Sequence, residues 1–323
     1  YGTDFAGLTP PWDDNMGYSF HKYWGQTDIS TIQSYINMRN NYGVPLWMGE
    51  SGENSNHWYY EVFKLLEENN IGWNFWTHKK VDKITSPYSA LVTPQYQTII
   101  DYLTGSVDQL DPNIAGMGLT SFANSLKIDQ CITRPGVIAS LTDPEYGEIS
   151  KPYTTHSIPG TIPAAYYDIG ARGLSYTDSD YWNDGDGGYN DGWVFRNDGV
   201  DVEGSDDNPN IPYTVGWTEA GEWLGYTIRD ILPGTYDVSF SISAPDAGGI
   251  FYAQLSGQNL GVIDVPSTGG WYSWEDVPSQ RIEVAEGEKF LKIQIVQAGF
   301  NIKSITFSPV LRIDDESLNP SSF

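Results

Sequence analysis

Cysteine is almost absent from this chain of 323 residues: Cys131 stands alone, so no internal disulfide can form and redox compartment cannot be read from cysteine use. No apolar run approaches the ~18 residues that a membrane-crossing helix needs. Basic residues are scarce, 17 Lys and Arg against 42 Asp and Glu, and the formal net charge is −25. A surface of that sign excludes nucleic acid and anionic membrane as partners. Neither an initiating Met nor a positively charged stretch ahead of an apolar core is visible, so no leader peptide can be recognised.

Aromatic side chains, by contrast, are plentiful: 12 Trp, 22 Tyr and 12 Phe make up 14% of the chain. That exceeds the needs of packing and suggests surfaces that stack on flat, apolar ligand faces such as those of sugar rings. With 39% hydrophobic residues the chain can bury real cores, and its length accommodates two domains. The acidic residues are dispersed among aromatics, as on a solvated surface.

Residues 15–77 alternate between two periodicities. "MGYSFHKYW" (Met16–Trp24) reads as a strand. In the following segment Ile29, Ile32 and Ile36 have helical spacing between an Asp28 cap and a closing Gly43. "VPLWMGE" is a second strand, "SNHWYYEVFKLLEENN" a helix facing inward through Trp58, Val62, Leu65 and Leu66, and "IGWNFWTH" (Ile71–His78) a third strand. "PQYQTIIDYLTGS" closes with a helix. Strand–helix units at this interval predict a parallel sheet. Between Lys83 and Ala164 the periodicity fades: one helix is expected in "NIAGMGLTSFANSLKIDQCI", then a Pro-rich extended connector. From Ala165 to Ser308, short alternating runs bounded by Gly, Pro, Asn and Asp predict two packed antiparallel sheets.

Parallel sheets bind ligands at the carboxyl ends of their strands. All three predicted ends carry chemistry: His21 and Tyr23, then Glu50, then Trp76 and His78. Taken singly, Glu50 could cap a helix or pair with a lysine, His21 could be a satisfied polar group and Trp76 a core residue. Together, a carboxylate, an imidazole, a phenol and an indole suit attack at the anomeric carbon of a sugar. Glu53 is the competing carboxylate and is placed on the rim.

"FHKYW", "PLWMGESGEN" and "IGWNFWTHKK" resemble strands six to eight of glycoside hydrolase family five, retaining enzymes built on a TIM (β/α)8 barrel. The resemblance implies Glu50 as the nucleophile, Tyr23 as the donor holding its carboxylate, His21 as a contact to the acid/base or substrate, and Trp76 as the floor of the substrate subsite. It also implies an Asn-Glu pair from strand four as acid/base, which this sequence does not supply. The chain is therefore expected to be the C-terminal part of a longer enzyme, inactive alone. No cofactor is implied for catalysis.

"YTVGWTEAGEWLGYTI", "LPGTYDVSFSISAP", "VPSTGGWYSWEDV" and "GFNIKSITF" resemble a carbohydrate-binding module of family six, a β-sandwich of jelly-roll type. The resemblance implies a sugar held between Trp217 and Trp271, with Asn301 donating hydrogen bonds. Trp217 lies in a turn of Gly216, Thr218 and Glu219, whereas Trp223 sits in an apolar run and is the expected core tryptophan; Trp274 is ambiguous. Members of that family often hold a structural calcium through a Glu that is Ala165 here, which puts the site in doubt. The Asp- and Asn-dense "SDYWNDGDGGYNDGW" is expected to be a solvated loop, and no residue is assigned to a metal.

The resulting expectation is α/β plus all-β: barrel strands six to eight over 1–105, a connector with a helix over 106–163, a sandwich over 164–308 and a tail over 309–323. The expected activity is retaining hydrolysis of a β-linked polysaccharide, β-1,4-glucan first and xylan or mannan next, by a monomer that is secreted or held at the cell surface. The alternative is a non-catalytic glycan-binding or scaffold protein with a degenerate barrel remnant.

Overall fold

In a computed structural model the protein is described over residues 10–185, 188–205 and 208–310; most of the expected tail lies outside them. Two compact units emerge, and neither is continuous in sequence. One gathers the described residues up to Ser150 with Ile169–Leu174 and Asp180–Val202; the other gathers Lys151–Asp168, Ser175–Ser179 and the described residues from Glu203 onward.

The first unit contains a parallel sheet of three strands, β1 (Tyr18–His21), β2 (Leu46–Glu50) and β3 (Gly72–Trp73), in that spatial order. Alternation places Phe20, Leu46 and Met48 in the core. Helix α1 (Gln33–Tyr42) follows a single 3-10 turn at Ile29–Thr31, which Asp28 caps by accepting from the Ser30 amide. That irregular turn leaves Ile29 exposed while Ile32 and Ile36 are buried, so only two of the three expected isoleucines face inward. Helix α2 (Asn56–Glu68) is capped by the Ser55 hydroxyl and buries Trp58, Val62 and Leu66 completely. Rings weld these layers: Phe20 stacks on Tyr35 at 4.2 Å, and Phe63 meets Trp73 at 4.2 Å.

Three expectations need correction here. The strand foreseen at Met16–Trp24 spans only Tyr18–His21, and the one at Ile71–His78 shrinks to Gly72–Trp73. Gly72 lies so close under the Trp47 ring that a Cβ there would be 2.3 Å from Trp47 Cζ3. Past Trp73 the Asn74 amide donates to Met48 O of β2 and the Trp76 amide to Ser51 O just beyond it. The stretch foreseen as an extended connector carries a second helix. After α3 (Pro94–Leu103) and α4 (Pro112–Ser125), α5 (Pro135–Thr142) buries Val137 in the same core as Trp58.

The second unit is a β-sandwich. One sheet runs Val202–Gly204, Tyr213–Val215, Asn301–Pro309, Gly234–Ser243, Glu275–Pro278, with Gly160–Pro163 and Ile282–Val284 on its flanks. The other runs Gln258–Asp264, Ile250–Leu255, Lys289–Gln297, Trp223–Ile228, Tyr176–Thr177. Phe240 of the first meets Phe251 of the second edge to face at 5.0 Å, and Phe251 stacks on Phe300 at 5.3 Å. Trp223 is not the core tryptophan: it is half-buried, with Lys292 Nζ 4.2 Å from its ring centre. The fully buried positions of its strand are Tyr226 and Ile228 instead.

Candidate functional site

Two constellations stand out, one in each unit. In the first, β1 and β2 run parallel in register from Tyr18 opposite Leu46 to Phe20 opposite Met48, and then the register slips so that His21 faces Glu50. The residue passed over is Gly49, where a Cβ would lie 2.6 Å from Ser19 Oγ and 3.2 Å from His21 Nε2. Glycine there lets the His21 ring lie close against β2. The Lys22 amide donates to Glu50 O at 3.1 Å, which turns the chain so that Tyr23 comes over the carboxylate.

Tyr23 donates its phenolic hydrogen to Glu50 Oε2 at 2.7 Å, and His21 Nδ1 lies 3.6 Å from the same oxygen. Burial, and then the carboxylate it serves, push the Tyr23 phenol well above the usual range, so it remains a donor. The Glu50 side chain is 36% exposed and that of His21 44%, so both can be reached by a ligand. Trp76 is half exposed, and its amide is tied to Ser51 O at 2.7 Å. His78, also foreseen at a strand end, is exposed in the bend that precedes the Lys79–Val81 strand. Glu53 is engaged elsewhere, with Lys80 Nζ 2.7 Å from its Oε1.

Asn54 was not singled out from the sequence, yet it supports this group. It is fully buried, and its Nδ2 donates to Tyr23 O at 3.0 Å and Asn183 O at 2.8 Å. Its Oδ1 accepts from the Asn183 amide at 2.9 Å. The Asp/Asn-rich segment is thus not wholly the solvated loop expected, since Asn183 is bound to Asn54 and Tyr189 and Asn190 are buried. Just beyond it, Asn197 Nδ2 donates to Asn54 O, and Asn56 Nδ2 donates to Asp198 Oδ1 at 2.6 Å. Arg196 and Asp198 form an ion pair that is almost wholly buried.

In the second unit, Trp217, Trp271, Tyr272, Glu203 and Asn301 line an open cleft of about 240 Å³. Both tryptophans are nearly half exposed, Trp217 at 48% and Trp271 at 45%. Trp217 sits at φ 43°, a left-handed conformation that is uncommon for an aromatic residue and turns it out of the strand that ends at Val215. Asn301 opens the final strand and is buried, its Oδ1 facing the gap that Gly216 leaves, where a Cβ would lie at 3.0 Å.

The structure brings the three expected residues together and adds two. Asn301 Nδ2 donates to Glu203 Oε1 at 2.9 Å and to Trp271 O at 3.3 Å. Tyr272 donates to Glu203 Oε2 at 2.6 Å. Glu203 lies 98 positions from Asn301 in sequence, inside an ordinary alternating "VEG", so no local signal marks it. The adjacent Tyr272 was within reach of the argument that selected Trp271.

Residues 194–309 match the family model for carbohydrate binding module (family 6). The residues that line the cleft, from Glu203 to Asn301, all lie within the matched stretch. A 93-residue stretch is 32% identical to the clotting factor G alpha subunit of Tachypleus tridentatus, covering 28% of this chain and 14% of that protein. The chain thus spans about a seventh of the length of that relative. Among solved structures, the C-terminal module of LamC, a marine laminarinase from Zobellia galactanivorans, is 24% identical over 45% of this chain and 95% of its own, with a TM-score of 0.33. The module CsCBM6-3 from Clostridium stercorarium, solved in complex with cellobiose, is 21% identical over 49% and 98%, with a TM-score of 0.35.

The residues present do not fit the calcium site that the family resemblance suggests. Ala165, fully buried in the 3-10 turn Ala164–Tyr166, sets a methyl where a carboxylate would be required. Among the described residues no group of three His, Cys, Asp or Glu is placed to hold a metal ion.

Proposed function

We propose that the module binds a β-linked polysaccharide by stacking sugar rings on Trp217 and Trp271 while Glu203 and Asn301 engage the hydroxyl rim. The observation that carries this reading is one open cleft in which two exposed indoles flank a half-buried Glu203 hydrogen-bonded to the buried Asn301. Apolar C–H faces of a pyranose match the indoles, and its hydroxyls match the polar edge. β-1,4-Glucan ranks first, with β-1,3-glucan, xylan and mannan as the panel against it. Affinity electrophoresis on these polymers tests the reading: retardation by at least one, abolished in Trp217→Ala with Trp271→Ala, supports it. Retardation that survives the double substitution refutes the cleft.

The Tyr23–Glu50 hydrogen bond favours a second, compatible role for the first unit, as part of a retaining glycoside hydrolase. In that role the Glu50 carboxylate attacks the anomeric carbon, a new C–O ester bond forms as the glycosidic C–O bond breaks and the leaving oxygen departs with its electron pair, while Tyr23 aims the nucleophile by donating to Oε2. Trp76 would floor the adjoining subsite. A dinitrophenyl 2-deoxy-2-fluoro-β-cellobioside isolates this step, because dinitrophenolate departs without a proton donor. Glycosylation mapping to the Glu50 peptide by mass spectrometry, and lost in Glu50→Gln, is the expected result; labelling that survives Glu50→Gln argues against it. A protein acting on such polymers is proposed to work outside the cell or at its surface, where they are found, with the module raising the local substrate concentration.

A further inference from the structure

The stretch that carries Tyr23 away from β1 is held by its carbonyls. Asn54 Nδ2 donates to Tyr23 O at 3.0 Å, Trp58 Nε1 donates to Gly25 O at 2.9 Å, and Lys22 Nζ donates to both Trp24 O and Gln26 O. All four consecutive carbonyls of residues 23–26 therefore accept from side chains. Asn54 and Trp58 are fully buried, and Lys22 nearly so. A carbonyl turned away from water needs a donor, and here each has one. Gly25, at φ 81°, makes a turn that a side chain would oppose.

Asn54 is in turn held from the other side. Its second Nδ2 hydrogen goes to Asn183 O at 2.8 Å, and its Oδ1 accepts from the amides of Asn183 and Ser55, each at 2.9 Å. Its backbone amide donates to the Tyr59 hydroxyl at 2.9 Å, and its backbone carbonyl accepts from Asn197 Nδ2 at 2.7 Å. An amide engaged through both hydrogens and its oxygen has one orientation only, so it fixes the position of Tyr23 O.

From this arrangement we infer that Asn54 and Lys22 are positioning residues for the Glu50 site: they hold residues 23–26 as a preset arm that keeps the Tyr23 phenol on Glu50 Oε2. The inference rests on the glycosidase reading of the first unit and deepens it by naming residues that act through Tyr23. A hydrogen bond of 2.7 Å tolerates displacements of only a few tenths of an ångström, and a released arm would exchange it for water. The carboxylate would then be free to rotate, and its second oxygen would no longer be presented to the anomeric carbon in one direction.

A merely structural role has a different signature. A residue that only stabilises the fold matters to the reaction whether or not Tyr23 has a hydroxyl. One that acts through Tyr23 matters only while the hydroxyl is there.

The test uses the full chain and dinitrophenyl 2-deoxy-2-fluoro-β-cellobioside, with labelling of Glu50 followed by intact-protein mass spectrometry. Asn54→Ala and Lys22→Met are each expected to slow labelling at saturating probe by about tenfold, with little change in the probe concentration that gives half the maximal rate. Added to Tyr23→Phe, each should cost less than about threefold more. A second readout needs no reaction. With tyrosines carrying 13C at Cζ, and the Tyr23 signal assigned by its loss in Tyr23→Phe, the Tyr23 phenol should ionise at a lower pH in Asn54→Ala than in the wild type. Burial and the Glu50 carboxylate hold it well above the usual range only while the arm is in place.

Labelling as fast as the wild type in both variants overturns the inference. A slowing that persists undiminished beside Tyr23→Phe does so too, as does a Tyr23 titration that Asn54→Ala leaves unchanged. A wild type that is never labelled, beside an Asn54→Ala variant whose Tyr23 titration shifts, would instead remove the glycosidase reading and leave the hold on Tyr23 standing. Thermal melts of each variant identify a loss caused by unfolding.

Discussion

Tyr23 and Glu50 are 27 positions apart in sequence and joined by a 2.7 Å hydrogen bond, the phenol donating to Oε2. The bond follows from the backbone. Adjacent parallel strands bring the two loops together, and the slip at Gly49 sets His21 opposite Glu50 so that the next-but-one residue can reach over the carboxylate. A donor on one oxygen orients the carboxylate and fixes the oxygen that is not engaged.

Tyr23→Phe removes that donor with little change in volume. Glycosylation of Glu50 by the fluorosugar is expected to slow by about 10- to 100-fold, the worth of a hydrogen bond to a charged group. Melting temperature should change little, since Tyr23 is only partly buried. Labelling rates from intact-protein mass spectra, read beside calorimetric melts, separate the two effects.

Gly52→Ala probes the loop between Glu50 and α2. A Cβ at Gly52 would sit 2.1 Å from the backbone oxygen of Trp76, and backbone cannot swing aside as a side chain can. The loop must shift, loosening the Trp76 amide from Ser51 O. Denaturant unfolding is expected to show a loss of about 2–4 kcal/mol, with faster hydrogen exchange at the Trp76 amide.

Asn54→Ala should be costly for a different reason. One buried side chain serves Tyr23 O and Asn183 O as donor and the Asn183 amide as acceptor. Alanine leaves these partly buried groups without their partner, which costs about 1–3 kcal/mol. Faster exchange at the Asn183 amide, with glycan binding by the module retained, would place the damage in the first unit. Unchanged exchange there would show that the asparagine does not hold the segment.

The sequence displays some of these features and hides others, for physical reasons. His21, Tyr23 and Glu50 could be placed near one another because adjacent parallel strands deliver their ends to one edge of the sheet. The third strand was overestimated because Trp73 and Phe75 look like strand residues, while the close fit of Gly72 beneath Trp47 is a tertiary fact. Helix α5 was missed because eight residues beginning at a proline show barely two turns of periodicity. The Asp- and Asn-rich segment looked solvated because its composition is that of turns; its hydrogen bonds between Asn183 and Asn54 span 129 positions. Glu203 and Asn301 are similarly paired only through the sandwich.

Lys22 gives a prediction with a definite sign. It lies between His21 and Tyr23, almost wholly buried, and its Nζ donates to Trp24 O at 3.1 Å and Gln26 O at 2.7 Å. Burial lowers its pKa from the ordinary 10.5 to about 8, with Asp28 opposing in part. Between those values the unfolded chain holds the proton and the folded chain has released it, so unfolding takes up a proton and folded-state stability rises with pH. Below pH 8 both states are protonated and the cost of burying the charge is constant. The wild type is therefore expected to gain stability relative to Lys22→Met as pH climbs from 8 to 10.5, by at most about 3 kcal/mol. Parallel denaturant titrations of the two proteins at pH 7, 8, 9 and 10 measure the difference, in which the tyrosines common to both cancel. A flat difference would mean that Lys22 keeps its proton in the fold, and a falling one that its carbonyl partners and Asp28 outweigh burial.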